Sequence, residues 1–173
     1  MISKYKYKGL LWVDLESPRR EEIESILEEF NLPEDLAPIM QNESKNPRTD
    51  IYPNLTYLVL HFPLIKDEKG RVMYQEINFI IGKNFLITLH YEYNSVLDSF
   101  AKKFEAEELL EASIRLDNSA SLFYYLIQIL NDDTKKQLSH LQYKLANKKG
   151  NLITFLCIII IILSITSLIL YLK

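Results

Sequence analysis

Glu76-Ile77-Asn78-Phe79-Ile80-Ile81-Gly82-Lys83-Asn84-Phe85-Leu86-Ile87-Thr88 holds two apolar runs on either side of a glycine turn. Successive side chains of a strand point to opposite faces. A strand over Val72–Ile81 therefore puts Ile77, Phe79 and Ile81 on one side, and a strand over Phe85–Tyr91 groups Phe85, Ile87 and Leu89. Gly82-Lys83-Asn84 has the glycine and polar chemistry that closes a hairpin. A third run, Ile51 to Phe62, is rich in Tyr, Leu and Val and precedes a second such turn, Lys66-Asp67-Glu68-Lys69-Gly70. The spacing predicts an antiparallel meander of three strands. Leu58-Val59-Leu60 and Phe79-Ile80-Ile81 are apolar on both faces, which requires helices on both sides of the sheet. The expected class is a layered α+β domain: a mixed, largely antiparallel sheet covered by helices on both faces.

Upstream, Gly9 to Leu15 reads as a buried strand, and Ser17-Pro18 as a helix N-cap followed by proline at the first helical position. Ile23, Ile26, Leu27 and Phe30 then form one apolar stripe, with Glu21, Glu22, Glu24, Glu28 and Glu29 on the remaining, solvated face. Leu32 to Met40 suggests a short second helix interrupted at Pro38, and Asn42 to Asp50 has the composition of a loop. Downstream, Ser95 is a candidate cap for a helix carrying Val96, Phe100 and Phe104, and Asn118 or Ser119 for a longer helix reaching about Lys148. Leu138, Leu141 and Leu145 extend that helix's stripe as a surface for another helix or subunit. Gly150 and Asn151 mark an expected bend. The resulting division is an α/β domain over 1–116, a long helix over 117–149 and a membrane-spanning helix over 150–173.

The last element rests on Leu152 to Leu172, a run with no charged residue and no histidine. At ~1.5 Å per residue it measures about 30 Å, the thickness of a bilayer's hydrocarbon core. Leu, Ile and Phe dominate it, and their insertion gain of roughly 0.3 to 0.6 kcal/mol each outweighs the hydroxyls of Thr154, Ser164, Thr166 and Ser167. The N-terminus lacks the apolar stretch of a secretory signal. Lys135, Lys136, Lys144, Lys148 and Lys149 precede the run, whereas Lys173 alone follows it. Both features predict a single-pass cell-membrane protein with its N-terminal domain in the cytoplasm.

Composition narrows the chemistry. A net charge of -3 argues against nucleic acid, which needs clustered positive charge, and the single cysteine, Cys157, falls inside the apolar run, leaving no disulfide or cysteine-based zinc site. His61, His90 and His140 fall in different elements, without a carboxylate at ligand spacing, and read as structural. No phosphate loop, nucleophile elbow or zinc-protease motif occurs, so no catalytic residue and no cofactor is assigned and an enzyme is not expected. For a hard cation the candidates are Asp67, in a turn whose carbonyls could add oxygen ligands, and the Asp132-Asp133 step on the long helix; turns rich in aspartate are more often only turns.

The order of these features resembles the cytosolic domain of the CorA family of divalent-cation transporters, whose members carry Mg2+ and often Co2+. Leu11-Trp12-Val13-Asp14-Leu15 followed by the acidic helix is similar to the family's opening strand and helix. Asn46-Pro47-Arg48-Thr49-Asp50 with Tyr52 is similar to its Arg-Pro-Lys-x-Glu-x-Tyr stretch, and the run from Glu76 to Thr88 to its strand-turn-strand ending in Leu-x-Thr. The resemblance covers roughly residues 10 to 145. It implies an α/β/α cytosolic domain that assembles as a pentamer and is regulated by Mg2+ bound between neighbouring domains, with Asp67 near the family's sensing aspartate. The chain departs from the family in its signature: Gly9, Gly70, Gly82 and Gly150 are followed by Leu10, Arg71, Lys83 and Asn151, so Gly-Met-Asn does not occur in these 173 residues. The expectation is a truncated or auxiliary CorA-like subunit at the lipid membrane, forming a homo-oligomer or joining a full-length homologue. The alternative is a tail-anchored sensory or interaction module that transports nothing.

Overall fold

The computed structural model describes residues 1–65, 72–106 and 116–171, with side chains in 1–64, 73–106, 116–144 and at Ala146. The strands are β1 (Ile2–Tyr7), β2 (Leu10–Glu16), β3 (Arg48–Ile51), β4 (Thr56–Ile65), β5 (Val72–Ile81) and β6 (Phe85–His90). The helices are α1 (Arg20–Glu29), α2 (Leu36–Met40), α3 (Ser95–Glu105) and α4 (Ser119–Tyr171). One sheet runs in the order β1-β2-β6-β5-β4-β3. Strands β4, β5 and β6 form the expected antiparallel meander. Strand β2 lies parallel to β6, Asp14 beside Thr88 and Glu16 beside His90, and makes the sheet mixed.

Alternation along the central strands sends side chains into two cores. Trp12, Ile77, Phe79 and Leu86 pack with Leu97, Phe100 and Phe104 of α3 and Leu122, Leu126 and Leu130 of α4. Val13, Leu15, Tyr57, Val59, Ile80 and Ile87 pack on the other face with Ile23 and Ile26 of α1 and Leu36 and Met40 of α2. Both faces are covered, as the two-sided apolar runs require. Aromatic rings knit the first core. Trp12 lies 4.7 Å from Tyr5, 4.9 Å from Phe100 and 5.9 Å from Phe104, centroid to centroid.

Several expectations are corrected. Strand β1 lies beyond the strands that the apolar runs predict, because its alternation, exposed Lys4 and Lys6 between half-buried Ser3, Tyr5 and Tyr7, is that of a sheet edge rather than a buried strand. It turns into β2 through Lys8 and Gly9, whose φ values of 42° and 83° suit a two-residue hairpin turn. Ser17 does not cap α1. It sits at φ 42° with its hydroxyl donating to the Tyr91 carbonyl, and Arg19 is the N-cap, its N–H donating to Glu22 at 2.8 Å. Ser95 is the first residue of α3 rather than its cap. The Asn94 side chain accepts from the N–H groups of Val96 and Leu97, at 2.9 Å each. Replacing Asn94 with alanine is expected to cost about 1 kcal/mol of stability, read from the urea unfolding midpoint. A cost near zero would show that the cap is dispensable.

The expected loop over Asn42 to Asp50 ends in edge strand β3, paired with β4 from Arg48↔Val59 to Ile51↔Thr56. Helix α2 is only Leu36–Met40 and contains Pro38. Helix α4 is assigned without interruption through Gly150 and Asn151.

Two compact units follow from the packing, Met1–Thr134 and Lys135–Lys173. In the second, Leu138 is exposed and Leu141 half-buried, while Leu145 lies outside the described side chains. Among the described residues no helix is long and apolar enough to cross a membrane. The side chains of Leu152–Leu172, on which the expected span rests, lie outside them.

Candidate functional site

The meander places His61 of β4 directly opposite Glu76 of β5. Glu76 is 4 % exposed, and a carboxylate taken out of water is sustained only by donors around it. Three surround it. The Ser44 N–H donates to Oε2 at 2.6 Å, the Asn78 amide donates to Oε1 at 2.9 Å, and His61 Nε2 stands 3.5 Å from Oε2. His61 Nε2 also lies 3.0 Å from the Ser44 carbonyl oxygen, so the imidazole and the carboxylate together grip both sides of Ser44. His61 Nδ1 is buried and has no hydrogen-bond partner among the described residues.

Around this pair opens a cleft of about 570 Å³, lined also by Glu43, Lys45, Pro47 and Tyr74. The Ser44 hydroxyl donates to the Asn46 carbonyl at 2.8 Å and so serves its own loop. Behind Glu76 the Tyr57 hydroxyl donates to Asn78 at 2.9 Å. Burial first, and then nearby negative charge including that of Glu76, hold the Tyr57 and Tyr91 phenols well above their ordinary range. They remain neutral donors, and Tyr91 donates to the Met40 carbonyl at 3.2 Å. This arrangement can bind a polar ligand at its rim and anchors the loop between α2 and β3.

A second buried polar cluster lies on the opposite face. His90, 1 % exposed, has Nε2 3.3 Å from Asp14 Oδ2 and Nδ1 2.6 Å from the Glu92 carbonyl oxygen. Each strand histidine thus acquires a carboxylate from the neighbouring strand, a partner that spacing along the sequence does not supply. Antiparallel pairing is symmetric about the midpoint of its connection, so a turn expected from the composition of Lys66 to Gly70 already implies a partner for His61 close to Glu76. Asp14 is different: its approach to His90 depends on the parallel pairing of β2 with β6, which no local turn encodes.

Asp67 lies outside the described residues. Asp132 is exposed and Asp133 half-buried on α4. Among the described residues no group of three His, Cys, Asp or Glu side chains converges as metal ligands.

The family model described as CorA-like Mg2+ transporter protein matches residues 7–152. The chain belongs to this CorA-like family. A search of curated sequences returns no match. Among solved structures, the complete CorA magnesium transporter from Methanocaldococcus jannaschii is similar at TM-score 0.70 and 16 % identity, over 88 % of this chain and 51 % of that one. The ZntB cytoplasmic domain from Vibrio parahaemolyticus is similar at TM-score 0.60 and 14 % identity, over 79 % and 54 %. The full-length CmaX protein is similar at TM-score 0.63 and 16 % identity, over 79 % and 40 %. This CorA-like chain thus spans about half the length of these relatives, and at such identities the likeness is one of fold.

Proposed function

We propose that this chain is a CorA-like subunit whose α/β domain lies in the cytoplasm and responds to divalent cations, held at the membrane by Leu152–Leu172. The family match over residues 7–152 carries the reading. The uncharged length of Leu152–Leu172 and the lysines ahead of it support the anchor and its orientation. In this reading the chain works beside a full-length homologue rather than as a pore of its own. Mg2+ is its regulatory ligand, bound weakly between subunits through carboxylates that include Asp67, since a reluctantly dehydrated ion keeps most of its waters and takes few carboxylates.

The test is Mg2+ and Co2+ uptake in transport-deficient cells. Expressed alone, the chain is expected to support no uptake; expressed with a full-length homologue, it is expected to co-purify with it. Robust uptake by the chain alone would overturn the auxiliary role. Mass measurement in detergent tests the sensing part: Asp67→Ala is expected to raise the Mg2+ concentration needed for assembly several-fold, and an unchanged midpoint removes Asp67 from the site. Mg2+-sensitive self-assembly without co-purification would favour the second reading, a tail-anchored sensory module.

A further inference from the structure

His90 is a buried imidazole with acceptors on both sides. The Glu92 carbonyl has no proton to give, so Nδ1 must carry one. Opposite it, Asp14 Oδ2 faces Nε2 at 3.3 Å, and Asp14 Oδ1 already accepts from the Thr88 hydroxyl at 2.5 Å. The Nε2 to Oδ2 contact is a bond only when a further proton sits between them. Without it the lone pair of a buried ring points at a carboxylate, an arrangement that a low-dielectric interior penalises.

The pair is wired to α3 by two routes. The Glu92 carbonyl that accepts from His90 also accepts from Gln75 at 3.0 Å. Gln75 in turn takes a bond from the amide of Asn94 at 2.8 Å, and Asn94 caps α3. On the other side Thr88 Oγ1 accepts from Trp12 Nε1 at 3.0 Å, and Trp12 packs against Phe100 and Phe104 of α3. Phe100 continues the contact to Tyr125 of α4, 5.6 Å away. Within the pair Asp14 is the more exposed, its side chain 15 % accessible against 1 % for His90, so it is the group that can swing outward when the shared proton leaves.

We propose that the Asp14–His90 pair is a proton-operated latch that docks α3, closed when the proton is held and loosened when it is lost. The charged groups acting on His90 are Asp14 and Glu16 of β2. From β5 and the α3 cap the facing groups are the neutral amides of Gln75 and Asn94. Asp98, in the first turn of α3, is occupied by the Tyr93 hydroxyl and Lys102. Burial alone would lower the affinity of the ring for its proton. The Asp14 hydrogen bond and charge and the Glu92 carbonyl outweigh it, and His90 titrates above the ordinary histidine value. The sign follows: a folded-state value above the unfolded one gives stability that is complete at pH below about 6.5 and is lost as pH rises through the folded value.

Trp12, the only tryptophan of the chain, reports the latch. In the full chain in detergent, its emission is expected to shift red in one sigmoidal step between pH 5.5 and 9.5, with the midpoint above 6.5. Asp14→Asn should abolish the step, because its amide donates to a neutral imidazole and needs no shared proton. Thr88→Val should leave the His90 titration, followed by ¹⁵N imidazole resonances, and shrink the Trp12 step without abolishing it, because the route through Gln75 and Asn94 to α3 remains. His140→Gln should change neither. A flat wild-type response, or a step that survives Asp14→Asn in a folded protein, overturns the latch.

Discussion

Trp12→Ala is expected to unfold the domain or leave it barely folded. The indole is fully buried, stacks on Tyr5, and meets Phe100 and Phe104, while its N–H donates to Thr88. It therefore joins the edge hairpin, the sheet and α3 through a single side chain. Truncating a buried tryptophan costs about 3–5 kcal/mol in lost transfer energy and residual cavity. The Thr88 hydroxyl would also lose a donor. Against a total stability of roughly 5–15 kcal/mol, that loss is a large share of the whole. Far-UV circular dichroism in a urea titration measures it without needing the tryptophan. A loss below about 1 kcal/mol would show that the three elements hold together without this contact.

The second large effect is expected at Glu76. Glu76→Ala removes the acceptor of the Ser44 N–H and of the Asn78 amide and takes away the carboxylate that His61 Nε2 faces. Each buried donor left unpaired costs about 1–3 kcal/mol, so a total near 3 kcal/mol is expected. The consequence is also local. The segment from Glu43 to Pro47 is tied to the sheet through Ser44, so its amide should exchange with solvent much faster, whereas amides in β5 and β6 follow only the global loss. Glu76→Gln keeps one acceptor oxygen but sets an N–H donor against the donors already present, and should fall between alanine and wild type. Equal exchange at Ser44 in wild type and Glu76→Ala would mean that the loop is held by other contacts.

These two residues differ in how far the sequence exposed them. Trp12 stands in an apolar run whose length and glycine boundary mark it as a strand, and its burial follows from hydrophobicity alone. Glu76 stands between Gln75 and Ile77 and carries no local mark of burial. Its desolvation becomes tolerable only because Ser44, some thirty residues earlier in the chain, folds back to donate to it. The same contrast holds at helix starts. Ser17-Pro18 is a sound cap signal, yet Ser17 is drawn to the Tyr91 carbonyl by the parallel neighbour of β2, and α1 starts at Arg20 instead. A tertiary hydrogen bond outcompeted the local one.

The sequence by itself determined the meander, the two-sided sheet, the apolar stripe of α1 and the uncharged run of Leu152–Leu172, because each is a periodicity or a composition that needs no distant partner. Only the tertiary structure decided the position of β2 beside β6, the edge strands β1 and β3, and the pairing of His61 with Glu76 and His90 with Asp14. Those depend on the relative energies of alternative long-range pairings, and burial then turns ordinary polar residues into obligatory hydrogen-bond partners. The chemistry of this domain resides in such pairs, since a proton or a carboxylate removed from water is governed by the groups that the fold sets within about 3 Å of it.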